Sequence, residues 1–171
     1  MNFNYTDISI VVDRSGSMES IRGDMEGAIK HFLDEQKKVD GKCTVSLYEF
    51  DNVYNSVYEN IPVKETKDYT LNPRGMTALN DAIGRTINSL GEKYRKMPEN
   101  ERPGKIFFIV VTDGHENASR EFNGDKIKEM VKHQSDVYNW SFVYLGANQD
   151  AVLTGANLGF TVDSNIRITI N

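Results

Sequence analysis

The chain has 171 residues, 39% of them hydrophobic and 26% charged, with a formal net charge of −5. That length suits one domain spanning residues 1–171 with a sizeable core. The negative balance speaks against nucleic-acid binding through phosphate neutralisation. No apolar stretch reaches the length of a membrane helix, and Cys43, the only cysteine, excludes an internal disulfide.

The start, Met1-Asn2-Phe3-Asn4-Tyr5, has no basic segment followed by an apolar one. No signal peptide is expected, and a reducing cytoplasm is the simplest compartment for a chain with a lone cysteine. A first strand is predicted over Asp7–Val12 and ends at Asp13. A helix follows from about Glu19 to Val39, because Met18, Ile21, Met25, Ile29, Phe32 and Leu33 recur at helical spacing. Gly41 is expected to stop it.

Cys43–Phe50 and Val53–Tyr58 read as a hairpin around Asp51-Asn52, and a hairpin supplies an antiparallel edge strand. Glu59–Asn72 has no period and reads as a loop. A second helix, from about Thr77 to Tyr94, buries Leu79, Ile83, Ile87 and Leu90. Lys96–Gly104, with Pro98 and Pro103, is a connector. The run Ile106–Val111 is a strand that leads to Thr112-Asp113-Gly114.

A third helix is predicted over Gly124–Tyr138, with Ile127, Met130, Val131 and Val137 inward. Trp140–Leu145 is a strand, Asp150–Leu158 a short helix and Phe160–Val162 a last strand. Asp163–Asn171 stays ambiguous, because Ile166, Ile168 and Ile170 alternate like a strand in a short tail. The order of elements is that of a doubly wound α/β domain: a mostly parallel sheet, one antiparallel edge strand and helices on both faces.

Two aspartates, Asp13 and Asp113, each end an apolar run of this sheet. In open parallel sheets the ligand crevice lies outside the carboxyl ends of the strands, so both carboxylates are expected there. Asp13, Ser15 and Ser17 alternate and place three hard oxygens along one turn, the donors that a magnesium-like cation prefers. Short motifs have plainer readings too. Ser15 and Ser17 could cap the first helix, Thr77 could cap the second, and Asp113-Gly114 could be an ordinary turn.

Asp13-x-Ser15-x-Ser17 resembles the opening motif of the von Willebrand factor A domain, whose metal-ion-dependent adhesion site is completed by a Thr and an Asp. Gly75-Met76-Thr77-Ala78-Leu79 resembles the Thr loop, and Thr112-Asp113-Gly114 the second Asp loop. Order and spacing fit from about Asp7 to about Phe160. The resemblance implies a Rossmann-like fold and a divalent cation, Mg2+ or else Mn2+ or Ca2+, held by Asp13, Ser15, Ser17, Thr77 and Asp113. It also implies a protein partner that donates an Asp or Glu carboxylate to the ion.

Gly16, Gly75 and Gly114 are expected to allow tight turns beside the ion. Arg14, Arg74 and Arg120 are candidates for steering an acidic ligand. Tyr48, Tyr54 and Tyr58 on the hairpin offer a second contact surface. A chain with these core stripes is expected to fold as a monomer without metal, and the lack of a long last helix makes a piston-like switch unexpected. The alternative function is a magnesium-dependent hydrolase or phosphoryl-transfer enzyme using the same carboxylates, with Glu116 or His115 as base. Against it, the chain lacks Gly-x-x-x-x-Gly-Lys-Ser/Thr and Gly-x-Ser-x-Gly motifs, so no catalytic residue and no enzymatic activity are expected.

Overall fold

The computed structural model describes residues 1–163, so the alternating tail from 164 onward lies outside the described residues. Strands β1 (Asn2–Asp13), β2 (Lys42–Phe50), β3 (Tyr54–Pro62), β4 (Pro103–Thr112), β5 (Ser141–Gly146) and β6 (Thr161–Asp163) form one sheet. Their order is β3-β2-β1-β4-β5-β6. β3 runs antiparallel to β2, and every other neighbouring pair is parallel.

Helices α1 (Arg22–Gln36), α2 (Leu79–Lys96), α3 (Gly124–Tyr138) and α4 (Gln149–Asn157) cover both faces. The apolar strand runs need two covered faces, since successive side chains point opposite ways. Ile8, Ile10 and Val12 meet Ile29, Phe32 and Leu33 of α1 on one face. Val11, Phe108 and Val110 meet Leu79, Ile83, Ile87 and Leu90 of α2, with Ile127 and Val131 of α3, on the other. Each such side chain, once fully buried, stabilises the fold by about 1.5–3 kcal/mol.

Several element bounds differ from the sequence reading. β1 begins at Asn2 rather than Asp7, because a register shift between Asn2 and Thr6 lets the polar start keep pairing with β4. β4 correspondingly begins at Pro103. β3 runs on through Glu59–Pro62, a stretch whose lack of period predicts loop. Asn60 there sits at a φ of 54°, and its N–H donates to Ser46 Oγ at 3.0 Å, a tie that no local pattern announces.

The first helix is broken. Gly16–Ile21 is a 3-10 turn, and the α-helix runs from Arg22 only to Gln36. Val137 is exposed rather than inward. Ten residues past Ile127, the helical phase has carried it off the buried stripe.

β1 connects to β2 on one side of the sheet, while β4 continues to β5 and β6 on the other. The order therefore reverses between β1 and β4, and a ligand crevice is expected outside their carboxyl ends. Asp13 and Asp113 stand at those two ends.

Candidate functional site

Asp13 closes β1 and is fully buried. Its Oδ1 accepts the Ser15 N–H at 2.7 Å, which bends the chain straight into the Ser15–Ser17 turn. Its Oδ2 accepts the Thr112 hydroxyl at 2.8 Å, which ties the end of β1 to the end of β4. Ser15 Oγ and Ser17 Oγ lie 3.2 Å apart. The Ser17 hydroxyl donates to Asp113 Oδ2, and the His115 N–H donates to Asp113 Oδ1 at 3.3 Å. Asp13, Ser15, Ser17 and Asp113 thus form one connected oxygen cluster.

Thr77 lies on the adjoining loop and is 2% exposed. The Gly16 N–H donates to Gly75 O at 3.1 Å and joins the two loops. Among the described residues no hydrogen bond links Thr77 itself to the other four. Its position is set by Asn117, whose Oδ1 accepts the Thr77 N–H at 2.9 Å. The Asn117 and Ala118 N–H groups in turn donate to Thr77 O at 2.9 and 3.1 Å.

The capping alternative is not realised. Ser15 precedes the 3-10 turn without a side-chain cap bond. The N-cap of α1 is Ile21 and that of α2 is Ala78, neither with a side-chain cap bond. The hydroxyls of Ser15, Ser17 and Thr77 are therefore not spent on helix ends.

The electrostatics of the cluster are unbalanced. Burial pushes the Asp13 carboxyl up to about 6, against its Ser15 and Thr112 hydrogen bonds, and the Asp113 charge pushes the same way. No ion pair involves Asp13 or Asp113 among the described residues. The buried Tyr144 hydroxyl makes no hydrogen bond of ordinary geometry among the described residues. Burial raises its pKa first, and the charges of Asp13 and Asp113 add to that. Two buried carboxylates without a basic partner are costly, and a hard divalent cation is the group whose charge and oxygen preference suit this donor set. The described residues hold no group of three or more His, Cys, Asp and Glu that could bind a metal, so such a cation would depend on the hydroxyls.

Arg14 does not serve the rim as expected. Its guanidinium turns inward, pairing with Glu49 at 2.9 Å and with the fully buried Asp51 at 3.1 Å. Arg74 is more exposed but also pairs with Asp51, at 2.8 Å. Arg120 is exposed and makes no ion pair among the described residues. Asp51 is a residue that sequence reasoning missed; it reads as a mere turn residue, yet its carbonyl also accepts the Ala78 N–H at 2.9 Å.

Asp81 was missed as well, and Glu116, read only as a candidate base, turns out to be a loop clamp. Asp81 accepts the N–H groups of Arg120, Glu121 and Phe122 at 2.8–2.9 Å, pinning the loop after β4 to the first turn of α2. Glu116 accepts the Asn80 N–H at 2.8 Å and the Ala118 and Ser119 N–H groups at 3.2 and 3.1 Å. For Asp81 the available signal was an acidic residue in the first turn of a helix, which is too common to point to a loop clamp. Gly114 does need its glycine, with φ at 89° and a position where a Cβ would lie 2.5 Å from Ala151 Cα. Gly75 also has positive φ, whereas Gly16 has ordinary φ and room for a Cβ.

No protein-family model matches the chain, and no curated relative does. Solved structures do resemble it. Pilus adhesin SpaC from Lactobacillus rhamnosus GG aligns with a TM-score of 0.63 at 17% identity, over 92% of this chain and 26% of that one. The ArnB paralog VWA2 from Sulfolobus acidocaldarius gives 0.59 at 16%, over 94% and 42%. A von Willebrand factor type A protein from Catenulispora acidiphila gives 0.56 at 16%, over 92% and 38%. The chain thus spans less than half the length of these proteins. The fold is the Rossmann-like α/β fold of von Willebrand factor A domains. Among the described residues no helix is long and apolar enough to cross a membrane.

Proposed function

We propose that residues 1–171 act as a single interaction module, monomeric on its own, in which Asp13, Ser15, Ser17, Thr77 and Asp113 hold a divalent cation. Mg2+ is the leading choice, with Mn2+ or Ca2+ as substitutes. The ion's open position receives an Asp or Glu carboxylate from a protein partner. One observation carries this reading: the buried Asp13 and Asp113 share a hydrogen-bonded cluster with the buried Ser15 and the exposed Ser17 hydroxyls and have no ion-pair partner among the described residues. A cation would supply the missing positive charge. With only two carboxylates in the set, it keeps attraction for an outside anion.

The fold likeness to a pilus adhesin is compatible with a role in binding proteins. A cytoplasmic location belongs to the same proposal and rests on the lone Cys43. The hydrolase alternative loses ground, because Glu116 is engaged by three backbone N–H groups and the Ser119 hydroxyl and is not free as a base. His115 is exposed and contacts Asp113 only through its backbone.

The test uses Mn2+-loaded protein and water-proton relaxation. A short aspartyl peptide should displace a metal-bound water and lower the relaxation enhancement, and its asparaginyl counterpart should not. Equal behaviour of the two peptides would overturn the carboxylate reading.

A further inference from the structure

Beside the Thr77 loop lies a cavity of about 330 Å3 that the cation proposal does not use. Its floor is Phe50, Tyr54 and Ala82, and Val53 and Met76 stand on its rim. Val53 is 48% exposed and Met76 54%, so two of the large apolar side chains left in water flank this one opening. The Tyr54 ring stacks on Tyr48, with centroids 5.7 Å apart, and its hydroxyl bonds Thr86 at 2.7 Å. The aromatic floor is therefore fixed rather than free to swing out.

The rim is fixed too. The Met76 N–H donates to Asn52 Oδ1 at 3.2 Å, and the Val53 N–H donates to Asp51 Oδ1 at 2.5 Å. The lining is mixed: beside the apolar floor stand Asn52 and five charged side chains, so what the cavity accepts depends on how many of those charges are already paired.

Its charges are mostly spent. Asp81 is occupied by three N–H groups, Arg85 pairs with Glu121, and Asp51 pairs with Arg14 and Arg74. Arg120 is the exception, lining the cavity without an ion pair among the described residues. An exposed guanidinium on the lining favours a ring, which it can meet by a cation–π contact.

We propose that this cavity receives a bulky apolar side chain, aromatic by preference, from the same partner segment whose carboxylate reaches the cation. The inference rests on the proposed function, because the cavity adjoins the cation site through consecutive residues. Met76 and Ala78 line it, and Thr77 between them is the proposed ligand. A partner chain laid across that loop presents an acid to one side and a neighbouring residue to the other. Specificity then comes from the pair, the acid giving direction and the ring giving most of the buried area.

Random peptides with one fixed Asp, displayed on phage, are selected in magnesium on the wild-type protein, on Val53→Asp and on Thr77→Ala. On the wild type, aromatic or large aliphatic residues should be enriched at one fixed offset from the Asp. Replacing that residue by Ala in a synthetic peptide should weaken binding about tenfold or more. Val53→Asp should lose the offset preference while still taking up Mn2+, and Met76→Asp checks the same result from the opposite rim. Selection for Asp without any neighbour preference would overturn the pocket and leave the cation reading standing, as would an identical preference on Val53→Asp. Wild-type selection that ignores the Asp, or is the same on Thr77→Ala, would overturn the cation reading and the pocket with it.

Discussion

Asn117 holds Thr77 from both sides. Its side-chain Oδ1 accepts the Thr77 N–H at 2.9 Å, and its own N–H donates to the Thr77 carbonyl at 2.9 Å. This reciprocal pair sets the Thr77 loop against the loop that carries Asp113, although Thr77 bonds to none of the other four proposed ligands among the described residues. Asn117→Ala leaves the Thr77 N–H unpaired at a buried position, which costs about 1–3 kcal/mol. Denaturant unfolding measures that loss. Ion affinity should fall about 10- to 100-fold, the range for partners that orient a ligand. Unchanged stability and unchanged ion binding would show that Thr77 is positioned by something else.

Gly114 and Gly16 flank the same crevice with opposite tolerance. Gly114→Ala forces an L-residue into positive φ and drives a Cβ against the α4 backbone at Ala151. It should destabilise by about 1–3 kcal/mol or more. Gly16→Ala meets only the Gly75 carbonyl, at an ordinary 3.6 Å, and should stay within about 0.5 kcal/mol of wild type. Equal costs for the two in chemical unfolding would contradict this account of the turns.

Asp81 ties acid stability to the loop after β4. Burial alone would raise its pKa, but the N–H groups of Arg120, Phe122 and Glu121 outweigh burial and hold it below the ordinary carboxylate value. A depressed pKa means that the folded state prefers the charged form. That stabilisation is complete above the unfolded pKa, near 4, and is lost as pH falls through the lower folded value. Asp81→Asn should cost about 1–2 kcal/mol at pH 7. The gap to wild type should narrow once pH drops below the usual carboxylate range. A gap independent of pH would mean that the charge of Asp81 plays no part.

The sheet was legible wherever a strand is buried on both faces. Ile8–Val12 and Ile106–Val111 announce themselves, because only the small Ser9 interrupts what two layers of helix must cover. Glu59–Pro62 did not, since its strand conformation rests on pairing with β2 and on Ser46 accepting from Asn60, both distant in sequence. The break after Ile21 was hidden inside a continuous apolar stripe, because Met18 packs inward from the 3-10 turn just as a helical residue would. At the site, strand-end chemistry marked Asp13, Ser15, Ser17 and Asp113, and the structure joins them by hydrogen bonds. The clamps made by Asn117, Asp81 and Glu116 were invisible, because each bonds to backbone groups and leaves no residue-type pattern. The inward turn of Arg14 was equally hidden, as its partners Glu49 and Asp51 belong to another strand and its turn.

Five oxygen-bearing residues at the β1–β4 switch point are proposed to hold a divalent cation. Calorimetric titration of Mg2+ or Mn2+ into metal-stripped protein tests it most directly, with circular dichroism to confirm that the stripped fold is native. One site per chain is expected. At a free ion concentration of 100 times the Kd, stability should rise by about 2.7 kcal/mol, or roughly 5–11 °C in Tm. Ser15→Ala, Thr77→Ala and Asp113→Ala should each weaken binding at least about tenfold while keeping the fold. No binding by the wild type, or the same affinity in all three variants, would contradict the assignment.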